Sequence, residues 1–260
     1  MLYVNLNKKI KIAYTIIGEL KAGRPILLFL HEGMGSILQF KNFPEKLCSE
    51  LNLPGLVFDR YGYGFSTPLQ EERSDEYLEY ESRINLPLFL EKLKLQNREL
   101  ILIGHSDGAS IALLYASMFP ENVKALVSMA AHVFTENISI TSAHALENKY
   151  YSNEIFRKKL SKYHFGHTES TLLAFTRTIK RESFKQWNIE SYLGYIKAPV
   201  LVIQGEEDKY GTESQVDSIM KHCKNKNNKK VIIEKCGHSP HLEKQEFVLN
   251  KINEFLLILN

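Results

Sequence analysis

One serine in this chain stands in a setting that could make it a nucleophile. Gly104-His105-Ser106-Asp107-Gly108 follows an apolar run, Leu100 to Ile103, and opens a helical-length segment, Asp107 to Met118. A turn that passes directly from strand to helix is so tight that its apex residue takes strained backbone angles, and the residues two before and two after must be small. Gly104 and Gly108 meet that need, and the Ser106 hydroxyl would stand clear of the strand's carboxyl end. A serine hydroxyl also needs a base, and the base needs a partner that fixes its tautomer. Two further apolar runs end in suitable groups: Val200 to Ile203 leads into Gln204-Gly205-Glu206-Glu207-Asp208, and Val231 to Ile233 leads into Glu234-Lys235-Cys236-Gly237-His238. Asp208 and His238 are the expected acid and base, with His241 as the rival base.

Acyl transfer further requires two backbone N–H groups where the carbonyl oxygen becomes an anion. Asp107, directly after the serine, supplies one. The second is expected from the glycine-rich turn His31-Glu32-Gly33-Met34-Gly35-Ser36, and Gly33 is the chosen donor. Glu32 and Asp107 both carry carboxylates beside these amides, where negative charge would oppose the oxyanion. Their side chains are therefore expected to turn away from Ser106, with Glu32 paired and Arg60 a partner for one of them.

These residues must be carried by a sheet. Ile26 to Leu30, Leu56 to Phe58, Leu100 to Ile103, Ala125 to Met129, Val200 to Ile203 and Val231 to Ile233 are short, nearly continuous apolar runs, as expected of parallel strands buried on both faces. Helical-length segments at Leu38 to Leu51, Tyr77 to Leu93, Asp107 to Met118, Glu213 to His222 and Glu246 to Leu257 separate or follow them, so the class is α/β. Ahead of these, Leu2 to Leu6 and Ile10 to Ile17 alternate polar and apolar residues about Asn7 and Lys8, which predicts a hairpin. Between Ala130 and Val200 the chain runs far beyond an ordinary connection. Its aromatic residues and partial helical spacing predict a small helical cap, which divides the chain into a core of 1–130 and 198–260 and an insertion of 131–197. The insertion holds ten Lys plus Arg against six Glu and no Asp. Solvated helix faces are the usual meaning of such an excess, and an anionic substrate is the sharper one.

The His31 to Gly35 turn, Asp59-Arg60-Tyr61-Gly62-Tyr63-Gly64-Phe65-Ser66, the Gly104 to Gly108 turn, Gly205 to Asp208 and Gly237-His238-Ser239-Pro240-His241-Leu242-Glu243 together resemble the α/β-hydrolase superfamily across nearly the whole chain. The likeness is to small capped esterases and their lactonase, carbon-carbon hydrolase and peptidase relatives. It implies a mostly parallel sheet flanked by helices, with Ser106 as nucleophile, Asp208 as acid and His238 as base, in that chain order and without a cofactor or metal. Ser106 departs from the dehalogenase and epoxide-hydrolase branches, which use aspartate there. Glu32 and Met34 depart from the commoner His-Gly-x-Pro turn.

Composition narrows the partners. A 44% hydrophobic, 24% charged chain of 260 residues with net charge +3 fits one folded body and gives no footprint for nucleic acid. Cys48, Cys223 and Cys236 lack disulfide or zinc spacing. No apolar run reaches a membrane span, and the first residues lack a signal-peptide pattern, so the expectation is a cytoplasmic enzyme acting on a small molecule. The expected reaction is hydrolysis of a small or medium carboxylic ester or thioester. Carbon-carbon hydrolysis of a diketone-like substrate uses the same three residues, and a ligand-binding protein that kept the fold is the non-enzymatic alternative.

Overall fold

A computed structural model describes residues 1–257. Eight strands form one sheet: β1 (Leu2–Asn5), β2 (Lys11–Ile17), β3 (Ile26–Leu30), β4 (Gly55–Phe58), β5 (Leu100–His105), β6 (Val123–Met129), β7 (Val200–Gly205) and β8 (Lys229–Ile233), in the spatial order β1-β2-β4-β3-β5-β6-β7-β8. The first two strands form the expected hairpin, whose turn is fixed by Asn7 Oδ1 accepting from the amides of Lys9 and Ile10. The hairpin joins β4 antiparallel, and every later pairing is parallel.

Successive strand residues point to opposite faces, and two cores follow from this. Leu28, Leu30, Leu102, Leu126 and Val202 face one layer of helices, while Leu27, Phe29, Ile101, Ile103, Val127 and Ile203 face the other. The helices are α1 (Phe43–Leu51), α2 (Tyr77–Tyr80), α3 (Leu86–Lys92), α4 (Asp107–Met118), α5 (Asn137–Ser152), α6 (Glu154–His164), α7 (Thr168–Lys180), α8 (Glu190–Leu193), α9 (Glu213–His222), α10 (Pro240–Glu243) and α11 (Gln245–Leu257). α4 is apolar on nearly all sides and almost wholly buried, as a helix under the centre of a sheet must be.

Of two expected helices that carry a proline, one is interrupted and the other runs on through a widened turn. The segment expected to run from Leu38 to Leu51 begins as a single 3₁₀ turn, Ile37–Phe40, and then breaks at Lys41, whose φ is 57°. Pro44 would clash with a preceding carbonyl inside a continuous helix, but fits the first turn of α1. In the segment expected from Tyr77 to Leu93, the chain widens into a π-helical turn at Glu81–Asn85 before Pro87 enters the first turn of α3.

The connection after β3 runs toward β4, and the connection after β5 runs the opposite way, toward β6. A crevice opens where neighbouring strands diverge in this manner. The residues between β6 and β7 supply α5, α6 and α7, where Leu146, Tyr150, Phe156, Leu160, Leu172 and Phe175 pack with Met34 from the turn after β3. Farther along, Phe184, Trp187, Ile189, Leu193 and Ile196 join the larger core beside α4.

Candidate active site

Ser106 sits between β5 and α4 at φ 52° and ψ −121°, a conformation that costs a non-glycine residue about 1–3 kcal/mol. The surroundings impose it. The Ser106 amide donates to the carbonyl of Met129 at 2.8 Å, and its own carbonyl accepts from the amides of Ala109 and Ser110 at 2.8 and 3.0 Å. Both flanking glycines are sterically required: a methyl group on Gly104 would stand 2.5 Å from Ala109 Cα, and one on Gly108 would stand 2.0 Å from the Leu30 carbonyl oxygen.

The three residues singled out for acid, base and nucleophile come together at this edge of the sheet. His238 Nδ1 lies 2.9 Å from both carboxylate oxygens of Asp208. Because both partners are acceptors, the proton rests on Nδ1 and the lone pair on Nε2. The Tyr210 amide donates to Asp208 Oδ1 at 2.9 Å and steadies the carboxylate. Burial alone would raise the Asp208 pKa, but the hydrogen bond and charge of His238 outweigh it and leave it below the ordinary value. Burial carries the His238 pKa downward, only partly opposed by Asp208, so the imidazole is held neutral. Ser106 and His238 line the same cavity, although among the described residues the Ser106 hydroxyl has no hydrogen-bond partner. His241, the rival base, does not line that cavity; its ring packs 5.6 and 5.4 Å from those of Phe40 and Phe43.

Gly33 and Asp107 also line the cavity. As the first residue of α4, Asp107 has an amide with no acceptor within its own helix. Gly33 is oriented by the other half of its peptide. The Glu32 carbonyl accepts from His31 Nδ1 at 2.8 Å, from Arg60 Nη2 at 2.8 Å and from the Gly35 amide at 3.0 Å. In a trans peptide the N–H points opposite to the carbonyl, so these three donors turn the Gly33 amide away from the Arg60 side. The ring of Phe175 lies against the Gly33 backbone, where a methyl group would be 2.2 Å from Phe175 Cε2.

Both suspect carboxylates are engaged by groups other than Ser106, and Glu32 is paired as expected. Asp107 Oδ2 accepts from the Tyr77 hydroxyl at 2.9 Å and stands 3.5 Å from Arg60 Nη2. Glu32 Oε2 lies 3.3 Å from His105 Nδ1. Arg60 thus serves both presumed oxyanion amides at once, bonding the carbonyl joined to one and neutralising the side chain of the other. His105, Tyr77, Tyr210 and His132 were not marked by the sequence. His105 occupies the variable position of the G-x-S-x-G turn, and the other three lie where only the folded topology brings them to the site.

The cavity has a volume of about 370 Å³ and is walled mainly by apolar side chains, including Leu146, Phe156, Leu160, Phe175, Phe184 and Trp187. Among the described residues no lysine or arginine lines it. The positive excess of residues 131–197 therefore lies outside the cavity wall and gives no support to an anionic substrate.

Residues 25–182 match the alpha/beta hydrolase fold family, and the chain belongs to that family. It is 25% identical over 256 residues to a Mycoplasma genitalium protein that carries an esterase/lipase name, covering 91% of this chain and 90% of that one. It is also 25% identical over 189 residues to the Homo sapiens serine hydrolase BPHL, covering 72% of this chain and 62% of that one. Among solved structures, MGS-M2, an alpha/beta hydrolase enzyme from a Medee basin deep-sea metagenome library, superposes with a TM-score of 0.75 at 22% identity, over 97% of this chain and 96% of that one. At that identity the structural likeness speaks for the fold. Within the described residues no helix is long and apolar enough to cross a membrane.

Proposed function

We propose that the protein is a serine hydrolase that cleaves small or medium carboxylic esters or thioesters through an acyl-enzyme on Ser106. The observation that carries this reading is the shared cavity of Ser106 and His238, with His238 oriented by a two-oxygen contact to Asp208 at 2.9 Å. Ser106 Oγ attacks the substrate carbonyl as its proton passes to His238 Nε2, and the charge that develops on the carbonyl oxygen is received by the amides of Gly33 and Asp107. His238 then protonates the leaving alcohol or thiol, and water repeats the sequence to free the acid. Residues 131–197 act as a cap whose apolar side chains hold the acyl group.

A neutral, apolar acyl chain suits a cavity of about 370 Å³ whose wall is mainly apolar and, among the described residues, has no lysine or arginine. The esterase/lipase and serine hydrolase names of the relatives agree with this chemistry. The test is release of nitrophenol from esters running from acetate to decanoate. Turnover that peaks at a short or medium acyl chain supports the reading. Turnover of a diketone-like substrate with none on any ester would replace it with carbon-carbon hydrolysis by the same residues.

A further inference from the structure

His105 touches the machinery without belonging to the triad. Its ring is only 1% exposed, and each of its nitrogens faces an oxygen: Nδ1 meets Glu32 Oε2 at 3.3 Å, and Nε2 meets the backbone carbonyl of His238 at 2.7 Å. A carbonyl oxygen can only accept, and an ionised carboxylate can only accept, so satisfying both contacts requires a proton on each nitrogen. Glu32 itself stands where the commoner form of its turn has glycine, and the pairing gives that departure a purpose. The result ties together three loops that the sequence holds far apart: the turn after β3 that carries Gly33, the Ser106 turn, and the loop after β8 that carries His238.

We infer that His105 is a positioning residue of the triad, held as an imidazolium by Glu32 so that its Nε2–H fixes the His238 loop through the His238 carbonyl. This rests on the serine-hydrolase reading for its consequence in catalysis, but its structural part does not. The other titratable groups that act on the ring are His238 itself, at a ring separation of 5.0 Å, His241 at 4.6 Å, and Asp208, while His31 acts on Glu32. Asp208 is engaged by His238, and burial keeps His31 and His241 neutral, so Glu32 is the anion that holds the proton. Burial opposes the charge on His105, but the hydrogen bond and charge of Glu32 outweigh it, and its pKa lies above the ordinary histidine value. As pH rises through that raised value the ring loses one proton. Either Nδ1 then faces a carboxylate or Nε2 faces a carbonyl with no hydrogen between them, and one of the two ties is lost.

Glu32→Gln separates this role from simple packing. Glutamine can donate its amide N–H to Nδ1 of a neutral His105, which keeps its Nε2–H for the His238 carbonyl, so the tie no longer depends on an extra proton. Ring-nitrogen NMR of the ¹⁵N-histidine-labelled full chain, with His105 assigned by comparison with His105→Gln, reads this directly. The expected result is a doubly protonated His105 at pH 7 in the wild type and a singly protonated one in Glu32→Gln. A neutral His105 at pH 7 in the wild type would overturn the inference whether or not the protein turns over esters. For ester turnover, kcat/KM of the wild type should fall at alkaline pH as His105 titrates, and that fall should vanish in Glu32→Gln. His105→Phe, which has no donor, should lose roughly 10–100-fold in kcat with little change in KM, as expected of a displaced catalytic group, and His105→Gln should recover part of it. An alkaline fall of the same midpoint in wild type and Glu32→Gln, or equal kcat losses in His105→Phe and His105→Gln, would refute the positioning role.

Discussion

With Nδ1 of His238 donating to Asp208, Nε2 is the nitrogen left with a lone pair, and in the proposed mechanism it takes the Ser106 proton. Asp208→Asn would offer His238 an amide in place of a carboxylate, allow the wrong tautomer, and lower kcat by about 10⁴-fold while the fold persists; steady-state kinetics beside a circular dichroism spectrum checks both halves. The pH dependence follows from His238. Only the neutral imidazole can act as base, and burial lowers its pKa, so kcat/KM should rise with pH to a plateau along a limb centred below the ordinary histidine value of 6.5. A limb at or above that value would mean that His238 is more solvated, or closer to a carboxylate, than its surroundings indicate. The positions proposed as a triad stood out in the sequence because each follows an apolar run that ends at one edge of the sheet. The tie from His105 to Glu32 did not, because it joins residues 73 apart through side-chain orientation alone.

At the scale of elements, β5 and α4 must meet almost without a loop, and the small residues at 104 and 108 make that possible. In Gly108→Ala the new methyl would stand 2.0 Å from the Leu30 carbonyl, and the obstacle is backbone rather than a movable side chain. The expected cost is on the order of 3 kcal/mol, which for a chain of this size lowers Tm by roughly 10 °C; calorimetry of the purified variant checks it. The strands were legible because both faces are buried, and apolar runs such as Ile26 to Leu30 coincide with β3. Helix ends were less so. The apolar periodicity across residues 38–51 is continuous and hid the break before Pro44, whose ring belongs in a first turn, whereas across 77–93 the helix persists and a π turn at Glu81–Asn85 precedes Pro87. Arg60 shows the same limit from another side. Its motif was visible, but its bonds to the Glu32 carbonyl and its approach to Asp107 depend on how the turn after β4 packs between two other loops.

For the molecule as a whole, residues between β6 and β7 supply much of the apolar cavity wall. Net charge over that stretch was readable from the sequence, but which side chains face inward was not, and the cavity wall proves free of lysine and arginine among the described residues. A neutral ester and an anionic ester of equal size should therefore differ little in favour of the anion, and kcat/KM for the neutral one should change little with added salt. Phe175 and Leu160 narrow the cavity, so Phe175→Ala should move the preferred acyl chain toward greater length in a nitrophenyl ester series. The expectations about turnover presuppose that Ser106 is the nucleophile. The most direct test is mass spectrometry of the wild-type protein and Ser106→Ala after exposure to a fluorophosphonate, with nitrophenyl ester turnover measured on the same samples. The account predicts one covalent adduct on Ser106 and ester turnover in the wild type, with both absent from Ser106→Ala. An adduct on another residue, or turnover that survives the substitution, would contradict it.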